Sequence, residues 1–329
     1  MKQVLENIFA EIISVDNLLE AWKEFLKGKR NKKDVQEFSF QLMEDILALH
    51  YELLQKSYKH GEYISFKVHD PKPREIHKAP VRDRLLHHAI YRKLYPFFNR
   101  KFIADSFSCR NKKGTHKALD RLRNFAYKVS KNNTRTCWVL QCDIKKFFAS
   151  IDHQVLLQIL QKSIHDQELI WFLKEIIESF CLIRVGVGLP LGNLTSQLLV
   201  NIYMNEFDQF IKQKLKIKWY LRYADDFVLL SKNRKYLENL IPQIDSLLQN
   251  QLKLSLHPNK VTVKTLVSGI DFLGWISFTD HRILRTKTKR RMIERLKTNK
   301  SKETVNSYLG LIGHGNTNKL KKEVFFLKN

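Results

Sequence analysis

The sequence predicts an α+β fold in which an antiparallel sheet is backed by helices. Residues 218–222 and 227–230 are largely apolar runs on either side of a tight turn, and residues 137–142 form a further apolar strand. Residues 195–212 and 236–251 are expected to be helices. Strands joined by a hairpin, with helices in other parts of the chain, are typical of this class.

The first 60 or so residues are also expected to be helical. Asp16 is a candidate N-cap for a helix over residues 18–26, and residues 38–54 repeat apolar side chains at helical spacing. With only 11 Gly and 7 Pro, the chain leaves no room for a long flexible linker. Its 329 residues, 43% of them hydrophobic, suit two or three subdomains of one unit.

The charge of the chain points to a polyanionic partner. The formal net charge is +25, and the basic excess is concentrated in residues 281–329, which contain 14 Lys or Arg and 3 Glu. Residues 289–296 place Met292, Ile293 and Leu296 at helical spacing. The basic side chains of this segment would then lie along a nucleic-acid duplex, namely Lys289, Arg290 and Arg291. The alternative is a solvated helix whose charge only aids solubility.

Two adjacent carboxylates in the turn between the apolar strands are the main chemical signal. Like charges that are partly buried repel each other, so Asp225 and Asp226 are expected to bind cations. Asp143 ends the other apolar strand, and the backbone carbonyl of Ile144 adds a neutral oxygen. Such oxygens suit two Mg²⁺ ions roughly 3.5 to 4 Å apart, as in phosphoryl transfer. The alternative is an ordinary turn plus an N-capping Asp.

The order of these residues resembles the palm of a reverse transcriptase. The resemblance is carried by Asp143, by Phe148 five residues later, and by the run Tyr223-Ala224-Asp225-Asp226. It implies a right-hand polymerase with fingers to residue 135, a palm over residues 136–280 and a short helical thumb over residues 281–329. It also implies that Phe148 is the steric gate that selects dNTPs. Phe147 is expected to face the core if the segment is extended, although the two roles could be exchanged.

Two basic segments resemble the fingers of bacterial reverse transcriptases. In residues 74–84, the resemblance implies that Arg74 and Arg84 contact the triphosphate of the incoming dNTP, and guanidinium groups do match phosphate oxygens. Lys72 belongs to the same positive region. Further on, Arg110 and Lys112 are expected to contact the template backbone. The alternative for both segments is a set of solvated basic side chains.

Residues 188–197 indicate the subfamily. Leu191 stands where group II intron enzymes carry glutamine, and Gly192 and Asn193 follow it at a candidate template or primer contact. This version resembles the reverse transcriptases of diversity-generating retroelements, as do residues 201–210 and the segments at 307–310 and 314–317.

That resemblance implies mutagenic retrohoming. The enzyme would copy a template-repeat RNA into cDNA, with errors concentrated at template adenines, and would work with a small oligomeric accessory variability protein. One hypothesis for the errors is that Leu191 lacks an amide that could hydrogen-bond near the nascent base pair, which reduces discrimination between dNTPs. The alternative is that Leu191 only packs beneath the loop.

Two further elements complete the resemblance. Lys260 stands where palm polymerases keep a cation that could protonate the leaving pyrophosphate, although it could be an ordinary exposed lysine. Residues 269–275 resemble the primer grip, in which Phe272, Leu273 and Gly274 would contact the primer. A plain core hairpin is the alternative.

The remaining features predict a cytoplasmic protein that does not bind a membrane. No apolar run approaches the ~20 residues needed to span a bilayer, and the N-terminal residues lack the apolar stretch of a signal peptide. The four cysteines show no zinc-like spacing and are expected to be reduced.

Two other functions stay open. A retron or group II intron reverse transcriptase is disfavoured, in its intron form, by Leu191 and by the expected lack of a maturase or endonuclease extension after Asn329. A catalytically inert RNA-binding scaffold would gain nothing from clustered carboxylates in a basic protein.

Overall fold

The computed structural model describes residues 3–69, 73–181 and 184–328, without the side chains of residues 325–328. Lys72 lies outside the described residues. The helices are α1 (Phe9–Ile13), α2 (Val15–Phe25), α3 (Lys33–Phe40), α4 (Leu42–Leu54), α5 (Val81–Lys101), α6 (Thr115–Val129), α7 (His153–Gln161), α8 (Gln167–Glu178), α9 (Leu194–Gln209), α10 (Arg234–Leu252), α11 (Thr286–Thr298), α12 (Lys302–Ile312) and α13 (Asn318–Lys328). The strands are β1 (Ile64–Val68), β2 (Arg74–Lys78), β3 (Trp138–Cys142), β4 (Tyr220–Tyr223), β5 (Asp226–Ser231), β6 (Thr262–Thr265), β7 (Ile270–Phe272), β8 (Trp275–Ser277) and β9 (Arg282–Leu284).

The chain divides into two compact units that alternate along the sequence. The first unit comprises Met1–Ala104, Ile144–Phe210 and Ser246–Ser255, and the second comprises Asp105–Asp143, Ile211–Asp245 and Leu256–Asn329. The proposed fingers, palm and thumb boundaries at residues 135 and 280 stay a prediction.

The first unit is mainly helical, and two details of its N-terminal prediction are wrong. Helix α2 is capped by Ser14, whose Oγ accepts a hydrogen bond from the Asn17 amide at 3.2 Å, so Asp16 lies inside the first turn. The expected helix over residues 38–54 is divided at Gln41, where the backbone leaves helical geometry (φ −115°, ψ 29°) and separates α3 from α4. The unit also contains the antiparallel β1–β2 hairpin.

The second unit contains the predicted sheet. Its strand order is β4-β5-β3-β6, all antiparallel, and β4, β5 and β3 correspond to the three apolar runs of the sequence. Burial does not alternate along β5. Its four residues from Phe227 to Leu230 are all buried, which indicates that both faces of this strand are covered. A second antiparallel sheet has the order β7-β8-β9.

The predicted long helices are present with small changes at their ends. Helix α9 continues directly into a π-helical turn over Phe210–Lys214, and α10 runs through an internal Pro242. In α11 the side chains of Met292 and Leu296 are buried, as the spacing predicted. The mixture of helices and antiparallel sheets confirms the α+β class. Within the described part of the chain, no helix has the length and apolar character needed to cross a bilayer.

Candidate active site

The strand register of the second unit brings two of the predicted carboxylates together. Cys142 in β3 pairs with Phe227 in β5, so Asp143, the next residue, is level with Asp226. The Asp143 carboxylate lies close enough to Asp226 for its charge to raise the pKa of Asp226. Asp225 occupies the two-residue turn between β4 and β5, after Ala224, whose φ of 54° lies in the left-handed region. The turn and the end of β3 therefore present three carboxylates at one end of the sheet.

Burial and like charge change the protonation of this group. Burial first, and then the charges of Asp225 and Asp143, raise the pKa of Asp226 from 3.8 to about 7. The protonated form of Asp226 is favoured because it carries no charge beside the Asp225 and Asp143 carboxylates. Burial and these like charges outweigh the positive charge of Lys260, which lowers the same pKa.

Lys260 supplies the nearest positive charge. Its Nζ lies 2.7 Å from Oδ2 of Asp143, and the lysine side chain remains 44% exposed while the aspartate is 13% exposed. A backbone turn holds it there, because the amide of His257 donates to the carbonyl of Asp143 at 2.8 Å and the amide of Lys260 donates to the carbonyl of His257 at 3.0 Å. The lysine is thus fixed beside the carboxylates, while enough of it remains accessible to reach a substrate.

The donor set fits a hard divalent cation. Its atoms are carboxylate oxygens, which such cations prefer, and a cation would replace the proton that Asp226 now keeps. Among the described residues, however, no three His, Cys, Asp or Glu side chains are arranged as a metal site. Asp143 and Asp226 are brought together by the structure, whereas ligation by Asp225 and by the carbonyl of Ile144 stays a prediction.

Sequence reasoning missed Arg222, which is 1% exposed in β4. Its guanidinium donates to the carbonyl of Ala224 at 3.0 Å and to Oγ of Ser106 at 3.3 Å, so it fixes the turn that carries Asp225. The position of Arg222, directly before the Tyr-Ala-Asp-Asp run, was the sequence signal that could have indicated its role. An apolar strand pattern does not predict that a charged residue within it is buried.

The predicted primer grip is a tight hairpin turn. Leu273 and Gly274 join β7 to β8, and both have positive φ, 52° and 86°. Two such residues define the turn type that matches the twist of a hairpin, and a leucine in this conformation is uncommon. Phe272 is buried in the core, and the carbonyl of Gly274 accepts from the Arg285 amide at 3.1 Å. Contact of this turn with a primer stays a prediction.

In the first unit, the loop before α9 is held by several backbone contacts. Leu189 donates its amide to the carbonyl of Phe148 at 2.8 Å, and the carbonyl of Leu191 accepts from the His77 amide at 3.1 Å. A Cβ added to Gly192, which has φ of +119°, would lie 2.9 Å from Cγ2 of Ile76. The loop therefore packs directly against β2, the strand that begins at Arg74. Only glycine fits at position 192.

The neighbours of this loop are placed as follows. Leu191 is half-buried, and Asn193 is buried immediately before α9. Phe148 is half-buried and Phe147 is buried, as expected, but the segment is a 3-10 helix over Phe147–Ser150 and not extended. The assumed alternation of an extended strand is therefore wrong here, although the predicted core position of Phe147 holds.

The predicted triphosphate contacts have different environments. Arg74 is exposed at the start of β2, opposite Val68. Arg84 is only 18% exposed, and its guanidinium lies 2.5 Å from Oδ2 of Asp34, which also pairs with Lys78 at 2.6 Å. Arg84 is thus already engaged inside the first unit, and its contact with a dNTP stays a prediction.

The other predicted nucleic-acid contacts lie in the second unit. Arg110 donates to the carbonyl of Ser106 at 3.0 Å, and Lys112 accepts at its own carbonyl from the side chain of Lys117 at 2.7 Å. In α11, the basic residues have different surroundings: Lys289 lies 3.2 Å from Glu323, Arg290 is exposed and Arg291 is half-buried.

Comparison with known proteins agrees with this geometry. Residues 67–277 match the family described as reverse transcriptase (RNA-dependent DNA polymerase), which is more than half of the chain. Protein YkfC of Escherichia coli (strain K12) is 26% identical over 288 residues, which cover 74% of this chain and 73% of that protein. The group II intron-encoded protein LtrA of Lactococcus lactis subsp. cremoris is 30% identical over 159 residues, covering 46% of this chain and 25% of LtrA. The chain thus spans about a quarter of the length of LtrA.

Solved structures show the same fold at low sequence identity. Telomerase from Candida albicans, in complex with a TWJ fragment of telomeric RNA, is similar with a TM-score of 0.51 and 12% identity, over 75% of this chain and 50% of that one. Apo telomerase from Candida Tropicalis gives a TM-score of 0.53 and 12% identity, over 74% of this chain and 54% of that one. These likenesses confirm the right-hand polymerase fold. The chain therefore belongs to the reverse transcriptase family and is an RNA-directed DNA polymerase with group II intron-encoded relatives.

Proposed function

We propose that this enzyme makes error-prone cDNA from a template-repeat RNA, as the reverse transcriptase of a diversity-generating retroelement. The adjacent carboxylates of Asp143 and Asp226, beside Lys260, carry the polymerase part of the proposal. The loop with Leu191 in place of glutamine carries the narrower assignment.

The chemistry follows from the side chains at the end of the sheet. Reverse transcriptases normally use divalent metal ions, and we propose two Mg²⁺ ions held by Asp143, Asp225, Asp226 and the Ile144 carbonyl. When bound, such ions supply charge stabilisation for the oxygens of phosphoryl transfer. Lys260 is placed to give a proton to the leaving pyrophosphate, because its Nζ is held at the carboxylates and stays partly exposed.

The proposal for the dNTP, template and primer sites rests on position in the fold. Arg74 is exposed beside the loop of Leu191 and Gly192, where its guanidinium can reach phosphate oxygens. Phe148 is joined to the same loop through the Leu189 amide. We infer that the dNTP binds near this loop, and that RNA template and cDNA duplex contact the basic segments that contain Arg110 and Arg290.

A primer-extension assay on a defined RNA tests the polymerase assignment. Replacing Asp225 with Asn should abolish cDNA synthesis and leave RNA binding unchanged, because the change removes one carboxylate charge and almost no volume. The matched control is Asp16→Asn, which removes an exposed carboxylate in α2 of the first unit. Full-rate extension by Asp225→Asn would overturn the assignment.

Sequencing the cDNA tests the error-prone part. Leu191→Gln restores an amide near the nascent base pair, so misincorporation opposite template adenine should fall relative to the wild-type enzyme. Leu191→Met is the control, since it keeps an apolar side chain of similar volume. If Leu191→Gln leaves the error spectrum unchanged, Leu191 only packs beneath the loop. The proposal that Leu191 causes the errors would then be wrong.

An accessory protein is also part of the proposal, and α4 offers a surface for it. The buried face of α4 carries Ile46, Leu49 and Leu53, yet a second apolar stripe is exposed. Its members are Phe40 at the end of α3 and Met43, Leu47, Tyr51 and Leu54 along α4. A helix that is apolar on two faces normally has both covered.

Charge indicates what covers this stripe. Residues 34–55 contain five Asp or Glu and no Lys or Arg, in a chain with a net charge of +25. Asp34, Glu37 and Glu52 pair with basic residues of this chain. Glu44 and Asp45 therefore supply the acidic charge beside the stripe, and we propose a basic protein as its partner. The test is co-purification of this chain with the accessory variability protein, produced together with it. Leu47→Glu should abolish co-purification of the two proteins, whereas Val267→Glu, at another exposed apolar residue, should not. Equal retention by both variants would exclude α4 as the docking surface.

A retron or group II-like enzyme is the second candidate, favoured by the similarity to LtrA. The two candidates differ in what the enzyme copies. Extension with adenine-directed errors on a template-repeat RNA supports the first, and accurate copying of the same RNA supports the second.

A further inference from the structure

A cavity of about 440 Å³ in the second unit has no role in the function proposed above. Its walls are α6, the turn between β8 and β9, and the loop between α12 and α13. The residues that matter here are Arg123, Phe278, His281, Arg282, His314 and Asn316. The β8–β9 turn lies at the opposite end of β8 from the Leu273–Gly274 turn. Four residue steps separate Gly274 from Phe278, which is about 13 Å at ~3.3 Å per residue.

The loop that closes the cavity is the otherwise unexplained run at residues 314–317. A Cβ on Gly315 would lie 2.2 Å from the Trp275 ring and 2.8 Å from the carbonyl of Arg282, so only glycine allows the loop to approach this closely. The Asn316 amide donates to the carbonyl of Arg282 at 2.8 Å, and the Thr317 hydroxyl donates to the carbonyl of Ile312. The His-Gly-Asn-Thr run thus has the residues needed to build this wall.

Aromatic rings line the cavity in stacked pairs. His281 stacks on Phe278 with ring centroids 4.9 Å apart and planes at 16°. His314 stacks on His116 of α6 at 3.5 Å and 19°. Nδ1 of His116 is buried and has no hydrogen-bond partner among the described residues. Of these rings, Phe278, His281 and His314 line the cavity, and flat rings held in a fixed orientation are suited to stacking on a heterocyclic base.

The charges of the cavity favour an anion. Arg282 is held in place, since its guanidinium donates to Oδ1 of Asp120 at 2.9 Å and to the carbonyl of His314. Arg123 is exposed, and among the described residues its one polar contact is a long one, 3.4 Å, to the backbone carbonyl of Asp280. The carboxylate of Asp280 is occupied by Nδ1 of His281 at 2.7 Å. Arg123 is therefore the guanidinium with most freedom to take a phosphate.

We propose that this cavity binds one nucleotide of a single-stranded segment of RNA or DNA, with Arg123 on the phosphate and the rings of His281 and His314 against the base. The volume lies within the roughly 300–1,000 Å³ range of small-ligand sites and suits one nucleotide, whereas a duplex would need an open groove. The inference rests on the nucleic-acid substrate of a reverse transcriptase and adds a contact beyond the primer-grip turn.

The test is binding of labelled 12-nucleotide single strands to the full chain by fluorescence anisotropy, in chelator so that no synthesis occurs. We expect His281→Ala to weaken binding of oligo-A on the order of tenfold, because stacking on one ring is lost, while His281→Phe keeps the affinity. Arg123→Gln should weaken binding several-fold more than Lys128→Gln, which removes an equal charge from an exposed position on the same helix.

An abasic strand of the same length separates stacking from charge. On this probe His281→Ala should have no effect, whereas Arg123→Gln should still weaken binding. RNA and DNA versions of the strand show which sugar is preferred. The proposal is wrong if Arg123→Gln behaves like Lys128→Gln, or if His281→Ala weakens the abasic and the base-containing strand equally. Because no catalysis is measured, a failure here is separate from a failure of the polymerase or of the error-prone assignment.

Discussion

Replacing Asp226 with Asn should stabilise the metal-free enzyme at alkaline pH although it removes a site residue. Asn keeps the size of the side chain and carries no charge at any pH, so it removes the repulsion with Asp225 and Asp143. Burial and the charges of Asp225 and Asp143 raise the pKa of Asp226 from 3.8 to about 7. At 1.36 kcal/mol per pKa unit this corresponds to ~4 kcal/mol at most, and sharing of the repulsion among three carboxylates makes ~1–3 kcal/mol the expected gain.

The direction with pH follows from which state holds the proton more tightly. The folded pKa of Asp226 is raised above its unfolded value, so the folded protein binds this proton more tightly than the unfolded chain does. The resulting stability is fully present below pH ~4 and is lost as the pH rises through ~7. The free energy of unfolding of the wild-type protein should therefore fall across this window, and that of Asp226→Asn should fall less.

Urea unfolding in EDTA at pH 5 and pH 8 measures the effect. The control is Asp16→Asn, at an exposed carboxylate in the first turn of α2, which should gain no stability that depends on pH. Added Mg²⁺ or Mn²⁺ should reverse the order of wild type and Asp226→Asn, since the cation replaces the proton only where the carboxylate remains. If the variant is no more stable than wild type at pH 8 in EDTA, Asp143 and Asp226 do not repel each other as this geometry requires.

Two further substitutions test other parts of the site. Lys260→Met should lower the rate of single-nucleotide incorporation by about 10² or more while primer binding is unchanged, because the cation beside Asp143 is lost; a wild-type rate would make Lys260 an ordinary surface residue. Gly192→Ala should cost about 1–3 kcal/mol in urea unfolding, since its Cβ would meet Ile76 at 2.9 Å at a φ of +119°, and an unchanged midpoint would show that the loop moves freely against β2.

The sequence predicted the catalytic sheet well because its signals are local. An apolar strand before Asp143 and a tight turn at Asp225 follow from periodicity and turn chemistry. What periodicity does not supply is register. The pairing of Cys142 with Phe227 puts Asp143 level with Asp226, and a shift by one residue would have turned the carboxylate to the other face of the sheet. The family resemblance supplied that information, not the strand pattern.

Features that depend on distant partners were the ones that the sequence missed. Arg222 is buried because the backbone of Ala224 and the hydroxyl of Ser106 accept from it, and nothing in an apolar run indicates that such acceptors exist. Arg84 was predicted from its segment to face a triphosphate, yet Asp34, 50 residues earlier, pairs with it. Local sequence thus predicts which elements form, while long-range pairing decides which of their charges remain available to a substrate.

The same distinction applies to the two levels of the functional proposal. Metal-binding carboxylates serve nucleotidyl transfer in accurate and in error-prone polymerases alike, so this geometry does not separate the two kinds of enzyme. We propose that the loop at Leu191 makes this difference. Its backbone is fixed because the Leu191 carbonyl accepts a hydrogen bond from the His77 amide, so the side chain at position 191 can change without a change in backbone position. Errors at template adenine should therefore respond to the side chain at position 191 and not to changes at Asp226, which alter the rate for every nucleotide alike.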